Sequence, residues 1–196
     1  MTEKVLTLPL LVLLFLLVFG CGGLRYSQVE PEAKNYHPKR VGLFPVDVGT
    51  YEEARGVIDK VIAGVLVDRG WFAKVIDADM ISCQIQSNKE IRTVCLDYFS
   101  KLKEVNFSDP ELSKKIGEKL EVDAFLVANL DYWNYTKLDD DKVAKVDIGI
   151  KMIDAASGKI IWKAGHQEVE TYMLIKPKLP DVAKGLVKKI IKEMPH

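Results

Sequence analysis

Side chains able to do chemistry are few in this chain, and their spacing argues against a catalytic or metal centre. Of the 3 histidines, His37 precedes the patterned region and His196 is the last residue. Only His166 falls inside, just beyond a strand pattern that ends near Ala164. A lone histidine at a strand end reads as a surface or edge residue. Zinc and the transition metals need several Cys, His or carboxylate ligands brought together, and no second pair of Cys or His stands at ligand spacing. There is no Gly-x-Ser-x-Gly elbow, and Ser157 belongs to a turn sequence. The glycine patterns that cradle phosphates or dinucleotides are absent. Asp139-Asp140-Asp141 lacks the alternating ligands and glycine of a calcium loop, so it reads as a solvated turn. The expectation is a non-enzymatic protein without metal or cofactor.

An aromatic group is the best candidate for recognition: Tyr132, Trp133 and Tyr135, with Trp162 on a neighbouring strand. Side chains alternate along a strand, so Tyr132 and Trp133 must face opposite sides of a sheet. An exposed ring would stack on a glycan or seat in a partner protein's pocket. The alternative is that one faces the sheet core and the other packs beneath a helix.

The chain begins with an address. Lys4 supplies a positive start, and Val5 to Phe19 is apolar apart from Thr7 and Pro9. At about 15 residues this run falls short of the roughly 20 a transmembrane helix needs, but it suits the apolar region of a signal peptide. The ending Val18-Phe19-Gly20-Cys21 resembles the lipobox of bacterial lipoproteins. That resemblance implies a signal peptide over residues 1–20, removal before Cys21, and lipidation of the Cys21 thiol, palmitate included. Gly22 is not the Asp of an inner-membrane retention signal, which implies the periplasmic face of the outer membrane. An uncleaved anchor or a buried N-terminal helix is the alternative. In that oxidising compartment the remaining cysteines, Cys83 and Cys95, are candidates for a disulfide contributing about 3 kcal/mol. Two reduced thiols packed as small hydrophobes are the other reading.

The elements that must position these residues follow from pattern. With 28 basic and 28 acidic residues, the chain has no net field to draw it to nucleic acid. Hydrophobic residues make up 48%, enough for a globular core. Residues 21–38 are polar and interrupted by Gly and Pro, and read as a lipid-anchored tether; residues 39–196 read as a single α/β domain. Val41 to Val46 is a strand. Thr50 with Glu53 makes a capping box for a helix carrying Ala54, Val57, Ile58, Val61, Ile62, Val65 and Leu66, closed by Gly70. Ala73 to Ile76 is a second strand, which makes a parallel βαβ crossover. Asp77 to Phe107 is poorly patterned, with helical spacing at Ile91, Val94, Cys95, Tyr98 and Leu102. Asp109 or Ser108 caps a helix with Pro110 in its first turn. Val122 to Leu130, running on to Tyr135, and the alternating Val146 to Met152 are strands. Asp154 to Gly158 is a hairpin turn returning through Ile160 to Lys163, and Pro180 starts a last helix. The expected fold is α/β: a mixed sheet with an early parallel crossover and a late antiparallel hairpin, helices packed on the sheet.

Three segments carry a wider resemblance. Val41-Gly42-Leu43-Phe44-Pro45 resembles the opening strand of bacterial envelope lipoproteins of the CsgG/LpoB type. Asp109-Pro110-Glu111 to Glu121, followed by Val122-Asp123-Ala124-Phe125-Leu126-Val127, is similar to their helix and "Gly-Ala-Asp-Ala" strand, with Glu121-Val122 in place of Gly-Ala. Ile153 to Trp162 is similar to their "D-A-x-T-G-x-hydrophobic-W" hairpin. The resemblance implies an accessory or scaffold for an envelope complex, in secretion or cell-wall assembly. Its partners would be the membrane, through the N-terminal lipid, and an envelope protein or further copies of the chain. No long amphipathic hairpins of a pore-forming kind are visible.

Overall fold

The computed structural model describes residues 24–105 and 107–196. Cys21 and the signal peptide therefore lie outside the described residues. Six strands form one mixed sheet: β1 (Tyr26–Val29), β2 (Arg40–Leu43), β3 (Lys74–Ile76), β4 (Ala124–Leu138), β5 (Asp141–Asp154) and β6 (Ile160–Thr171). Their order across the sheet is β1-β6-β5-β4-β2-β3. Strand β2 pairs parallel with both β3 and β4, while β4, β5, β6 and β1 pair antiparallel in succession. The expected α/β class, the parallel crossover and the late hairpin are all present.

Five helices pack on the two faces: α1 (Val57–Arg69), α2 (Ala78–Ser87), α3 (Lys89–Glu104), α4 (Pro110–Leu120) and α5 (Leu179–Ile191). Period-two alternation on the strands divides the apolar side chains between two cores. Val41, Leu43, Leu126, Ile148 and Met152 meet Ile58, Ile62, Leu66, Leu186 and Ile190 of α1 and α5 in the larger core. Phe125 and Ile153, from the opposite face, meet Ile81, Cys95, Tyr98, Ile116 and Leu120 of α2, α3 and α4 in the smaller one. On β5 and β6 this second face carries the facing pairs Gly149–Gly165 and Lys151–Lys163.

Three expectations are corrected by the structure. The tether is shorter than residues 21–38, because Tyr26–Val29 is an edge strand on β6 and Leu24 packs on the larger core. Polar composition conceals it: all four β1 side chains are exposed, so no apolar period marks the strand. The first helix begins at Val57, not after Thr50; Glu52–Ala54 is a separate 3-10 turn. The buried Asp59 carboxylate explains the start, accepting bonds from the Gly56 amide at 2.9 Å and the Val46 amide at 2.8 Å. It satisfies one of the helix's open N–H groups and ties the turn after β2 to the helix. The poorly patterned segment from Asp77 is two consecutive helices. Asp77 caps α2 by accepting from the Met80 amide, and Asn88 caps α3 by accepting from Glu90 and Ile91.

Other signals landed where the pattern put them. Gly70 takes the left-handed conformation after α1, at φ 65°. Asp109 caps α4, accepting from the Glu111 and Leu112 amides. Gly158 has φ 72°, and a Cβ there would sit 2.8 Å from the Cα of Pro110, so the hairpin turn and the start of α4 need glycine for two reasons at once. Glu121, which stands where the resembling lipoproteins carry Gly, adopts φ 53° and ψ 46°.

Candidate functional site

The β4 aromatics are separated by an irregularity in the ladder. Leu130 faces Ile148 and Tyr132 faces Asp147, so the register shifts across Asp131. The extra residue of such a bulge inverts the alternation beyond it. Before the shift the even positions Ala124, Leu126, Ala128 and Leu130 enter the larger core; after it the odd position Trp133 does, at 3% exposure. Trp133 is therefore a core residue, which corrects its selection as a partner or ligand contact. Tyr132, on the other face, is half-buried with its ring 6.0 Å from Tyr51 and the Lys145 ammonium 4.8 Å from its centroid.

Tyr135 does a different job. Its hydroxyl donates to the Pro177 carbonyl at 2.7 Å, its ring meets Tyr172 edge-on at 6.0 Å, and the Lys176 ammonium lies 3.4 Å from its centroid. These contacts hold the loop between β6 and α5, where Met173, Leu174 and Ile175 are 87%, 96% and 87% exposed. The sequence pattern passed over this triplet, since three apolar residues between Tyr172 and Lys176 are too few for either period. Lys176 and Lys178 follow it.

Strand β1 enters the sheet from the side of this loop, part-way along β6. Strand β1 runs antiparallel to β6, with Tyr26 opposite Gly165 and Val29 opposite Trp162. Arg25, which leads into β1 and whose amide donates to His166, therefore lies on the Thr171 side of Gly165, itself six residues before the end of β6. The Asp139-Asp140 turn joins β4 to β5 at the same end, because Val143 faces Thr171. Asp139 takes φ 52° there; Asp139 and Asp140 form the expected turn, while Asp141 already opens β5.

Cys83 and Cys95 are free thiols, which corrects the expected bridge. Cys83 is exposed on α2, whereas Cys95 points from α3 into the smaller core. Burial pushes the Cys95 thiol up to about 11, so it stays protonated. The histidines serve local structure. His166 Nδ1 accepts from the Arg25 amide at 3.1 Å, His37 lies 2.7 Å from the His196 carbonyl, and the His196 ring stacks on Trp71 at 3.8 Å. Beside His166, Arg25 makes an ion pair with the nearly buried Asp147 at 2.6 Å and reaches Asp131 at 3.6 Å. Among the described residues no cluster of His, Cys, Asp and Glu has a metal-holding arrangement, and no helix is long and apolar enough to cross a membrane.

No protein-family model matches the chain, and no curated protein does. Solved structures do. The PelC dodecamer from Paraburkholderia phytofirmans aligns with a TM-score of 0.54 at 16% identity, over 87% of this chain and 95% of that one. A second PelC dodecamer structure from the same organism aligns at 0.53 and 14% identity, over 87% and 96%. Lipoprotein GNA1162 from Neisseria meningitidis aligns at 0.48 and 13% identity, over 76% and 95%. What the chain shares with PelC is the fold, almost end to end.

Proposed function

We propose that this chain is a non-enzymatic lipoprotein, anchored through Cys21 to the periplasmic face of the outer membrane, that serves as an accessory or scaffold for an envelope complex. One observation carries the reading: the chain enters β1 from the side of the sheet on which β6 runs on to the exposed Met173-Leu174-Ile175 loop. A lipid on Cys21 and an apolar loop followed by Lys176 and Lys178 would then meet the membrane from one side of the domain. The lipobox ending at Cys21 and the three segments of CsgG/LpoB type support the same reading. The likeness to PelC, a dodecamer, supports self-assembly of the chain.

The anchor is tested by metabolic labelling with a fatty-acid analogue in the native host. Labelling and membrane fractionation should both be lost in Cys21→Ser; unchanged labelling overturns the reading. Crosslinking in intact cells tests assembly. A ladder of multiples of the chain mass is expected, and a strictly monomeric product would sink that half of the proposal.

A further inference from the structure

The sheet ends in two strands that are paired on one side only, β1 with β6 and β3 with β2. On β1 the Glu30 amide donates to the Ile161 carbonyl at 2.9 Å, so Tyr26, Gln28 and Glu30 turn their peptide groups toward β6. Ser27 and Val29 turn theirs outward. On β3 the Lys74 amide donates to the Lys39 carbonyl at 3.0 Å, so Lys74 and Ile76 face β2 and Val75 faces outward. Natural sheets blunt such edges with charge, proline or a bulge. Apart from being short, Tyr26-Ser27-Gln28-Val29 has none of these, and Val29 is 49% exposed.

Strand direction decides which edges can meet. From β4 the sheet reverses at β5, β6 and β1 in turn, whereas β2 and β3 run with β4. Strands β1 and β3 therefore run in opposite directions. When copies stand side by side in one orientation, β1 of one meets β3 of the next as an antiparallel pair. Antiparallel pairing of β1 with β1 of another copy would instead invert that copy and its Met173–Ile175 loop. One register also matches side chains: with Val29 opposite Val75 of the next copy, Glu30 stands opposite Lys74. The faces agree. Tyr26 covers Gly165 on the second face, so Val29 lies on the larger-core face, where Val75 packs too. Among the described residues neither Glu30 nor Lys74 has an ion pair. Glu30 accepts from Gln28 Nε2 at 3.0 Å, and Lys159, which it also attracts, is paired with Glu32 at 2.9 Å. Opposite charges facing each other across antiparallel strands stabilise the pair.

We infer that copies of this chain associate head to tail through their sheet edges, β1 of one pairing antiparallel with β3 of the next, Val29 opposite Val75 and Glu30 opposite Lys74. The inference rests on the self-assembly proposed above and names the surface that performs it. Because the two edges differ, the contact is heterologous, propagating from copy to copy and closing where the rotation per copy allows a ring. Every copy keeps its Met173–Ile175 loop on the same side of the assembly.

Two differently tagged full-length copies, one Glu30→Cys and the other Lys74→Cys, are expressed together in the native host, both with the exposed Cys83→Ser. Residues opposite each other at this position of an antiparallel pair stand about 4.5 Å apart at Cα, within reach of a disulfide. Mild oxidation should join the two tags in one product, with the bridge mapped to the substituted positions by mass spectrometry. Glu30→Lys should cut the crosslinked ladder at least about fivefold, and adding Lys74→Glu should bring it back to within about twofold of the parent. Glu30→Cys copies bridging to each other as readily, or a double variant no better than Glu30→Lys, overturn the inference. A parent ladder without any mixed bridge overturns the edge pairing and leaves self-assembly standing. A parent without a ladder overturns both.

Discussion

The ring of Tyr26 lies over Gly165: a Cβ added to that glycine would stand 2.6 Å from the ring carbons. The two residues face each other across the β1–β6 ladder. A Cβ on Gly149, opposite Gly165 on β5, would stand 3.2 Å from the Tyr26 hydroxyl oxygen. An aromatic from an edge strand covering a glycine pair is a known way of fixing register. Gly165→Ala should displace the ring and loosen β1, destabilising the domain by about 1–3 kcal/mol. In a denaturant-melt cycle with Tyr26→Ala the two costs should fall well short of adding; strict additivity would mean that the contact contributes nothing.

Glu121 is a residue in a conformation that favours glycine. A non-glycine side chain in the left-handed region costs roughly 1–2 kcal/mol, part of which a glycine returns through its freer unfolded state. Glu121→Gly should therefore stabilise the domain by up to about 1 kcal/mol, read as a raised denaturation midpoint. A lowered midpoint would show that the Glu side chain contributes more than the strain removes.

Asp59 and Trp133 are predicted to be structural. Asp59→Ala leaves the Val46 and Gly56 amides without their acceptor and should cost about 2–4 kcal/mol. Trp133→Ala should cost about 3–5 kcal/mol as a core cavity, whereas Tyr132→Ala on the opposite face should cost far less. Thermal melts of the three variants check the order; a Trp133→Ala protein as stable as the parent would contradict its place in the core.

Acid should loosen the junction of β2 and β4. Burial alone would raise the Asp123 carboxyl, yet the Arg40 guanidinium and the Arg40 and Lys39 amides hold it below the ordinary carboxylate value. A group lowered on folding adds stability above its unfolded value, near 3.9, and that stability is lost as pH falls through its folded value. Asp47, held low chiefly by the Gly49 amide, and Asp109, held low chiefly by Lys101, act in the same direction. Stability measured from pH 6 downward should fall below about pH 4, less steeply in Asp123→Asn than in the parent. Parallel curves for the two proteins would remove Asp123 from the account.

Thiol chemistry should distinguish the two free cysteines. At pH 8, Cys83 should alkylate in the native protein and Cys95 only after unfolding, because burial keeps its thiol protonated. Peptide mapping of the adducts decides it; equal native labelling would place Cys95 outside the core.

The sheet and most helices were readable because each carries a period: two on β5, three to four on α1, α4 and α5. Strand β1 was not, since Tyr26, Ser27, Gln28 and Val29 are held by backbone pairing and by Tyr26 over glycine, neither of which leaves an apolar stripe. The Asp131 bulge was invisible for a related reason: alternation reads smoothly through Leu130 and Tyr132, and only the pairing reveals the extra residue. That single shift decides whether Trp133 is a contact or a core side chain. The smaller core was beyond sequence reading because Phe44, Phe99 and Phe125 come from three distant segments joined only by topology.

Seating β1 in the sheet also changes how far the protein travels. On the anchoring proposed above, only residues 22 and 23 stand between Cys21 and Leu24, which packs on the larger core, a reach of at most about 11 Å even when straight. With an acyl group on Cys21, the domain explores the bilayer plane with its orientation restricted, and encounters with other anchored molecules become two-dimensional. Such confinement raises effective concentration without any new contact. Lengthening the leash with glycine and serine would dilute that advantage while leaving every fold contact in place.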